Sequence, residues 1–173
     1  MDALSELGNL NTIATQSALG AWSWASDFLI VIILCGVLFL FAWYMGRGPF
    51  IGLLISLYAG YALYSVFPYA SFLPASPPLV ALGSAIAVYA VLAGIAYVIL
   101  RRAVVSDFVY IGLFGLGVLS FLGAGFLLAL AYHVFPVHEV YTFTPAVDML
   151  FAAKQYFFWW FIAPLLGLFF LAR

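Results

Sequence analysis

Long apolar segments without charged side chains dominate this sequence and restrict what the chain can fold into. No charged residue occurs between Arg47 and Arg101. Charged residues make up 6% of the 173 residues and apolar residues 68%, and the mean hydropathy is +1.24. A soluble domain carries about 25% charged residues. The chain therefore lacks the polar surface that a water-soluble fold needs, and a lipid bilayer is the consistent solvent.

The apolar segments have the length of membrane-spanning helices, about 17–25 residues. They are continuous and do not alternate between polar and apolar residues, as the strands of a membrane barrel would. The sequence predicts an all-α, polytopic membrane protein, with a single five-helix membrane domain over residues 27–173. The predicted spans cover residues 27–45, 50–66, 79–100, 108–133 and 155–172.

Residues 1–26 are more polar than the rest of the chain. Asp2, Glu6 and the lack of a basic start are not typical of a signal peptide. Apolar residues from Leu4 to Ile13 recur every third position, which predicts a short amphipathic helix on the outer membrane surface. A polar tail with accidental periodicity explains the same residues equally well, so both readings stay open.

The basic residues predict how the spans are oriented. When five spans are threaded through a bilayer, Arg47, Arg101, Arg102 and Arg173 fall on one side and Lys154 alone falls on the other. Basic residues favour the cytoplasmic side. The predicted topology therefore has the N-terminus outside and the C-terminus inside.

Small residues recur at helical spacing in three of the spans. Such stripes allow two helix backbones to approach closely in a membrane. The predicted helix-packing residues are Gly52, Ser56 and Gly60 in the second span, Gly83, Ala87, Ala90 and Gly94 in the third, and Gly112, Gly115 and Gly123 in the fourth. The glycine-rich fourth span is expected either in the middle of a bundle or at an oligomer interface.

Ionisable side chains are missing from the interior of the predicted spans. Such residues usually mark transport paths, proton relays or catalytic sites in membranes. We therefore predict a protein that is not an enzyme and carries no cofactor. His133, His138 and Glu139 follow the fourth span and could hold a divalent metal ion. Solvated loop side chains account for these three residues more simply, and no metal site is predicted.

Three tyrosines lie on one face of the second span, at Tyr58, Tyr61 and Tyr64. Their hydroxyl groups could line a polar path, because a buried tyrosine hydroxyl needs a partner. Tyr61 and Tyr64 also lie where an aromatic belt is expected at the membrane interface. The belt is the favoured interpretation.

The order of turns and spans along the chain can be compared with that of known membrane protein families. Asp27 precedes the first span, a Gly46-Arg47-Gly48 turn follows it, Leu54-Ile55-Ser56-Leu57 comes soon after, and Asp107 opens a fourth span with repeated glycines. Over about residues 27–137 this layout resembles the colicin V production protein family of bacterial inner-membrane proteins. Typical members carry a second basic residue and an acid shortly after the turn arginine, whereas Pro49 to Leu53 carry no charge.

The resemblance implies a bacterial cytoplasmic membrane location and a role in envelope homeostasis or in peptide-toxin production and export. The leading hypothesis is a non-enzymatic integral membrane component that acts by helix packing, as a homo-oligomer or with other membrane proteins. One alternative is an oligomeric pore or facilitator for a small neutral or amphipathic solute. Another is a small subunit of a larger membrane complex. The lipid bilayer is the expected environment, and no nucleic-acid partner is expected.

Overall fold

The structure, a computed structural model, describes residues 28–68, 73–103, 111–135 and 137–171, and all of the regular secondary structure in these ranges is helical. No strand occurs in these ranges. The helices are α1 (Phe28–Met45), α2 (Arg47–Ser65), α3 (Pro78–Ala103), α4 (Leu113–His133), α5 (Pro145–Phe151) and α6 (Lys154–Leu171), with a short 3-10 turn at Val137–Glu139.

Five of these helices, all except α5, are long and apolar enough to cross a membrane. The prediction of an all-α protein with five candidate membrane spans is therefore confirmed. The predicted amphipathic helix of residues 1–26 lies outside the described residues, as do Asp27, Asp107 and Arg173.

A single residue, Gly46, connects α1 to α2. Its backbone has a φ of 93°, in the left-handed region that glycine adopts without a steric penalty. The Phe50 amide donates a hydrogen bond to the Gly46 carbonyl oxygen at 3.3 Å, which closes the first turn of α2. Pro49 is tolerated there because the first turn of a helix needs no amide hydrogen from it. The second helix consequently starts at Arg47, three residues before the predicted position.

Successive long helices run in opposite directions. A Cβ placed at Gly60 of α2 would lie 2.7 Å from Cβ of Ala93 on α3, so these two helices pack closely. We call the end of the bundle that holds Arg47, Arg101 and Arg102 the arginine end. The opposite end, where α4 finishes at His133, is the histidine end.

The fourth long helix, α4, lies in the middle of the bundle. Of its span, 61% is buried, against 28% or less in each of the other four spans. It packs against α6 on one side, and Gly123 faces Leu54 of α2 and Leu38 of α1 on another. The sequence allows the glycine-rich helix either in the middle of a bundle or at an oligomer interface. The structure shows it in the middle of the bundle.

The start of the fourth helix also differs from the prediction. The fourth helix begins at Leu113, so the prediction of a helix from residue 108 is wrong for Ile111 and Gly112. Gly112 is extended, with a φ of −64° and a ψ of 163°, and serves as the N-cap. Glycine loses more conformational freedom in a helix than other residues, which favours a start after it. Near the C-terminus, residues 152–153 separate α5 from α6.

Candidate functional site

A cavity of about 550 Å³ lies between α1, α2, α3 and α4. This volume is in the range of small-molecule binding pockets, about 300–1,000 Å³. The loop between α4 and α5 closes the cavity at the histidine end with Phe135, Val137 and Phe143. The helices contribute Ile30, Leu34, Leu53, Ser56, Leu57, Ile86, Tyr89, Ala90, Ala93, Gly94, Tyr97, Leu127, Leu128 and Ala131.

The mouth of the cavity opens sideways, between the helices. Ile86, Ala90 and Gly94 belong to its lining and are exposed. All three lie in the middle part of the candidate span Pro78–Arg102. If α3 crosses a membrane, the mouth therefore opens to the lipid hydrocarbon and not to water.

The cavity wall is almost entirely apolar, and two of its three hydroxyl groups are satisfied by backbone. The Ser56 hydroxyl donates to the carbonyl oxygen of Leu53 at 2.7 Å. The Tyr89 hydroxyl donates to the carbonyl oxygen of Leu57 at 2.9 Å. The buried hydroxyl of Tyr97 has no hydrogen-bond partner in the part of the chain that the structure describes.

The ring of Tyr97 lies toward the arginine end of the cavity. It packs edge-on against the ring of Phe41 on α1, with centroids 6.1 Å apart. A Cβ at Gly52 would be 3.9 Å from its Cε2 atom, so α2 also contacts it. The ring is therefore held by two neighbouring helices while its hydroxyl is left without a partner. An unpaired buried hydroxyl costs about 1–3 kcal/mol, so this atom lowers the stability of the described fold.

The predicted packing residues of α2 and α3 differ in their surroundings. Gly60 packs against Ala93, and Ser56 is fully buried. No atom of the described residues lies within 4 Å of the position where a Cβ would lie at Gly83 or Gly94 of α3. Ala87 and Ala90 are exposed as well. The small-residue stripe of α3 is therefore not covered by the described part of the fold.

The predicted packing residues of α4 contact other parts of the same chain. A Cβ at Gly115 would lie 2.9 Å from Cγ2 of Ile111 and 3.7 Å from Leu171 on α6. A Cβ at Gly123 would lie 2.9 Å from Leu54 and 3.1 Å from Leu38. Gly112 is the N-cap that precedes the helix, and among the described residues nothing lies within 4 Å of its Cβ position, so its packing role stays a prediction.

Gly125 and Gly167 lie outside the predicted small-residue stripes but are packing residues in the structure. Gly125 lies against the ring of Trp160, whose Nε1 donates to the carbonyl oxygen of Leu150 at 3.1 Å. A Cβ at Gly167 would be 2.8 Å from Leu122. Both glycines belong to the contact between α4 and α6. The bulky side chain opposite each glycine comes from a distant part of the sequence, so spacing alone carries no signal for either.

The residues considered for metal binding do not form a site in the described chain. Nε2 of His133 is 2.9 Å from the carbonyl oxygen of Phe151, and its ring lies 4.6 Å from that of Phe157. Glu139 is exposed at the end of the 3-10 turn. His138 belongs to the same turn, and its side chain is not among those described. Among the described residues, no group of three potential ligands comes together.

The tyrosine face of α2 is packed inside the bundle. Tyr58 stacks on Phe126 of α4 with centroids 4.4 Å apart, and its hydroxyl donates to the carbonyl oxygen of Phe161 on α6 at 2.6 Å. Tyr61 contacts the edge of the same Phe161 ring, and Tyr64 contacts Phe135. These rings form an aromatic contact between helices, and Tyr58 has no free hydroxyl to offer to a polar path.

Comparison with protein-family models, with curated proteins and with solved structures finds no match for this chain.

Proposed function

We propose that the protein is a non-enzymatic integral membrane component that binds the hydrocarbon chain of a lipid in the cavity between α1, α2, α3 and α4. The main support for this proposal is that the cavity opens sideways between the helices. Its mouth is flanked by Ile86, Ala90 and Gly94 in the middle of a candidate span, and the interior behind it is apolar. A lipid chain is the apolar molecule that such a mouth meets in a bilayer.

The distribution of charge supports a non-enzymatic role. Among the described residues of the five spans, the charged side chains lie only in the first or last turns, at Arg47, Arg101, Arg102 and Lys154. Proton- or ion-coupled transport uses ionisable groups inside the membrane. The described span interiors instead present a shaped hydrophobic surface, which is suited to binding an apolar chain.

The same charges support the proposed orientation, with the arginine end in the cytoplasm. Arg47 begins α2, and Arg101 and Arg102 lie in the last turn of α3, so all three are found at one end of the bundle. The resemblance to colicin V production proteins suggests a bacterial cytoplasmic membrane and a process, either envelope homeostasis or peptide-toxin production and export.

Assembly with a second membrane polypeptide, or with a second copy, is a further candidate function. The exposed Gly83, Ala87, Ala90 and Gly94 stripe of α3 favours it, because small residues let another helix approach closely. The small faces of α2 and α4 are engaged inside the fold at Gly60, Gly115 and Gly123, so a partner would pack on α3. A small-subunit role would use the same stripe.

A matched pair of substitutions in α3 tests the lipid proposal. Gly83→Leu and Gly94→Leu each add a leucine at a Cβ position that no described atom approaches within 4 Å, but only Gly94 lines the cavity. Native mass spectrometry of the full chain released from mild detergent should show one retained lipid for wild type and Gly83→Leu, and none for Gly94→Leu. Equal lipid retention by both variants would contradict the proposal. If wild type showed the mass of a dimer and Gly83→Leu showed only the mass of one chain, assembly through α3 would be favoured.

A further inference from the structure

The cavity ends at the loop residues Phe135, Val137 and Phe143, which we call the cavity floor. We infer that this floor stops the tip of the bound chain, so that the cavity selects lipids of the arginine-end leaflet by the length of their acyl chains. This inference rests on the proposed function and adds the class of lipid to it. Such selection requires a rigid floor and a chain that meets the floor with its tip.

The Phe135 ring of the floor is fixed by two other rings. It contacts the ring of Tyr64 on α2, with centroids 5.5 Å apart, and the ring of Tyr89 on α3, with centroids 5.4 Å apart. Ring pairs at such distances, about 4.5–7 Å, attract each other. Tyr89 is also tied to α2, because its hydroxyl donates to the carbonyl oxygen of Leu57 at 2.9 Å. Phe135 therefore cannot swing aside without losing contacts with both helices.

The Phe143 ring is fixed in a similar way by α4 and by the loop itself. It contacts the rings of Tyr132 and Tyr141, at centroid distances of 5.0 Å and 4.7 Å. The Tyr132 hydroxyl donates to Oδ1 of Asp148 on α5 at 2.8 Å. The two rings of the floor are thus connected to α2, α3, α4 and α5, which makes the floor rigid although it belongs to a loop.

The depth of the cavity lies mainly between its mouth and the floor. The described residues that α1 and α4 contribute to the wall come from about two turns at the histidine end of each helix: Ile30, Leu34, Leu127, Leu128 and Ala131. The mouth, by contrast, lies in the middle of α3. A chain that enters through the mouth therefore finds its space toward the floor, and its headgroup lies in the leaflet at the arginine end.

The distance from the arginine end to the floor determines which chain fits. From Ile86, on the floor side of the mouth, to Arg102, at the end of the span, α3 rises about 24 Å. One leaflet contributes about 15 Å of hydrocarbon. A chain that reaches the floor therefore passes the middle of the membrane. A shorter chain leaves space above the floor, and a longer chain must bend back through the mouth, so affinity should be highest at an intermediate length.

A mixture of lipids tests the length selection. The full chain in mild detergent is equilibrated with an equimolar series of phosphatidylcholines whose saturated chains lengthen by two carbons at each step, from dodecanoyl to docosanoyl. Native mass spectrometry identifies each retained lipid by its mass, and for wild type we expect a peak at one intermediate length. Phe143→Ala should shift the peak to longer chains by at least one step. Ala131→Leu, which fills the same end of the cavity, should shift it to shorter chains.

A phenylalanine outside the cavity provides the matched control. Phe169 on α6 is exposed and does not belong to the cavity wall, so Phe169→Ala should keep the wild-type peak. The direction of the chain is tested with a phosphatidylcholine that carries a photoreactive group on the terminal carbon of its chain. We expect cross-links beside the floor, at Ala131 or Phe143. Cross-links at Leu53 or Tyr97 would show that the tip points to the arginine end and would overturn the inference.

The remaining outcomes separate the inference from the proposed function. Equal retention of all lengths by wild type would overturn the length selection, and so would a wild-type peak in folded Phe143→Ala or Ala131→Leu. If Phe143→Ala does not fold, Ala131→Leu alone decides. The proposed function would survive such a result if Gly94→Leu still abolished lipid retention. If wild type retained none of the lipids, the inference and the proposed function would both fall.

Discussion

Tyr89 and Tyr97 are two turns apart on α3 and both line the cavity, but only Tyr89 has its hydroxyl satisfied within the described chain, by the carbonyl oxygen of Leu57 at 2.9 Å. Tyr89 therefore fixes the cavity wall by joining α3 to α2. The Tyr97 hydroxyl is buried and makes no such link among the described residues. Two chemically identical side chains therefore contribute differently to the stability of the wall.

The contact between Gly60 and Ala93 should be intolerant of one added methyl group. A Cβ at Gly60 would lie 2.7 Å from Cβ and 2.9 Å from Cα of Ala93, so the backbone of α2 or α3 must move. We expect Gly60→Ala to lower the free energy of unfolding by about 1–3 kcal/mol. Gly83→Ala on α3 is the control, since no described residue has an atom within 4 Å of its Cβ position. Thermal unfolding in detergent measures both, and similar melting temperatures would contradict the contact.

A second matched pair of glycines lies on α4. Gly125 faces the Trp160 ring, which cannot move freely because its Nε1 donates to the Leu150 carbonyl oxygen. At Gly117, by contrast, no atom in the described ranges lies within 4 Å of the position of a Cβ. We expect Gly125→Ala to destabilise the protein by about 1–3 kcal/mol through overpacking, and Gly117→Ala to be close to neutral. Urea unfolding in mixed micelles measures the free energy of unfolding of both variants. A larger loss for Gly117→Ala than for Gly125→Ala would contradict the packing of α4 on α6.

The hydrogen bond from Tyr58 to the carbonyl oxygen of Phe161 should contribute modestly to stability. Tyr58→Phe keeps the ring stacked on Phe126 and removes only the hydroxyl. Hydrogen bonds between membrane helices average about 0.6 kcal/mol, so a loss of that size is expected. Tyr61→Phe serves as the control, because among the described residues no hydrogen bond of its hydroxyl is found. A larger loss for Tyr61→Phe than for Tyr58→Phe would contradict the assignment.

Cysteine labelling tests the orientation. Cys35 is the only cysteine, so a Cys35→Ala background allows single cysteines at Tyr44, near the arginine end, or at Glu139, at the histidine end. Both positions are exposed. A membrane-impermeant thiol reagent added to intact spheroplasts should label Glu139→Cys directly and Tyr44→Cys only after permeabilisation. The reverse pattern would place the arginine end outside.

The native cysteine tests the pore alternative. Cys35 lies in the middle of α1, in an apolar groove with Phe39 and Phe121. Because the described residues around it are apolar, we expect Cys35 in membranes to remain unlabelled by a water-soluble thiol reagent and to react after denaturation. Rapid labelling in intact membranes would indicate a water-filled path, as the pore hypothesis requires.

The spans were predictable from the sequence because hydrophobic length depends on local composition alone. The segments around Cys35 and Gly94 are continuous, apolar and uncharged, so lipid is the consistent environment for them. The ends of the helices were harder to predict from the sequence than the spans themselves. The helix at Arg47 starts earlier than predicted because Gly46 alone makes the turn, and the fourth helix starts later because Gly112 is extended.

The cavity could not be predicted, because four helices and a loop contribute its wall. Gly60 and Gly83 look alike in sequence, each within a stripe of small residues. One is in contact with Ala93 and the other faces open space. The difference depends on how each helix is rotated in the bundle, which is set by packing with residues far away in sequence. The unpaired state of Tyr97 has the same origin.

Photo-cross-linking tests the central claim most directly. A phospholipid with a photoreactive group in the middle of its acyl chain would be bound to the full protein at an equimolar ratio in detergent and then activated. The account predicts cross-links in the cavity wall, at residues such as Ile86 and Ala90 of α3 and Leu127 of α4. Cross-links confined to outward-facing residues of α1 and α6, such as Ile32 and Phe169, would show that the cavity does not hold the chain.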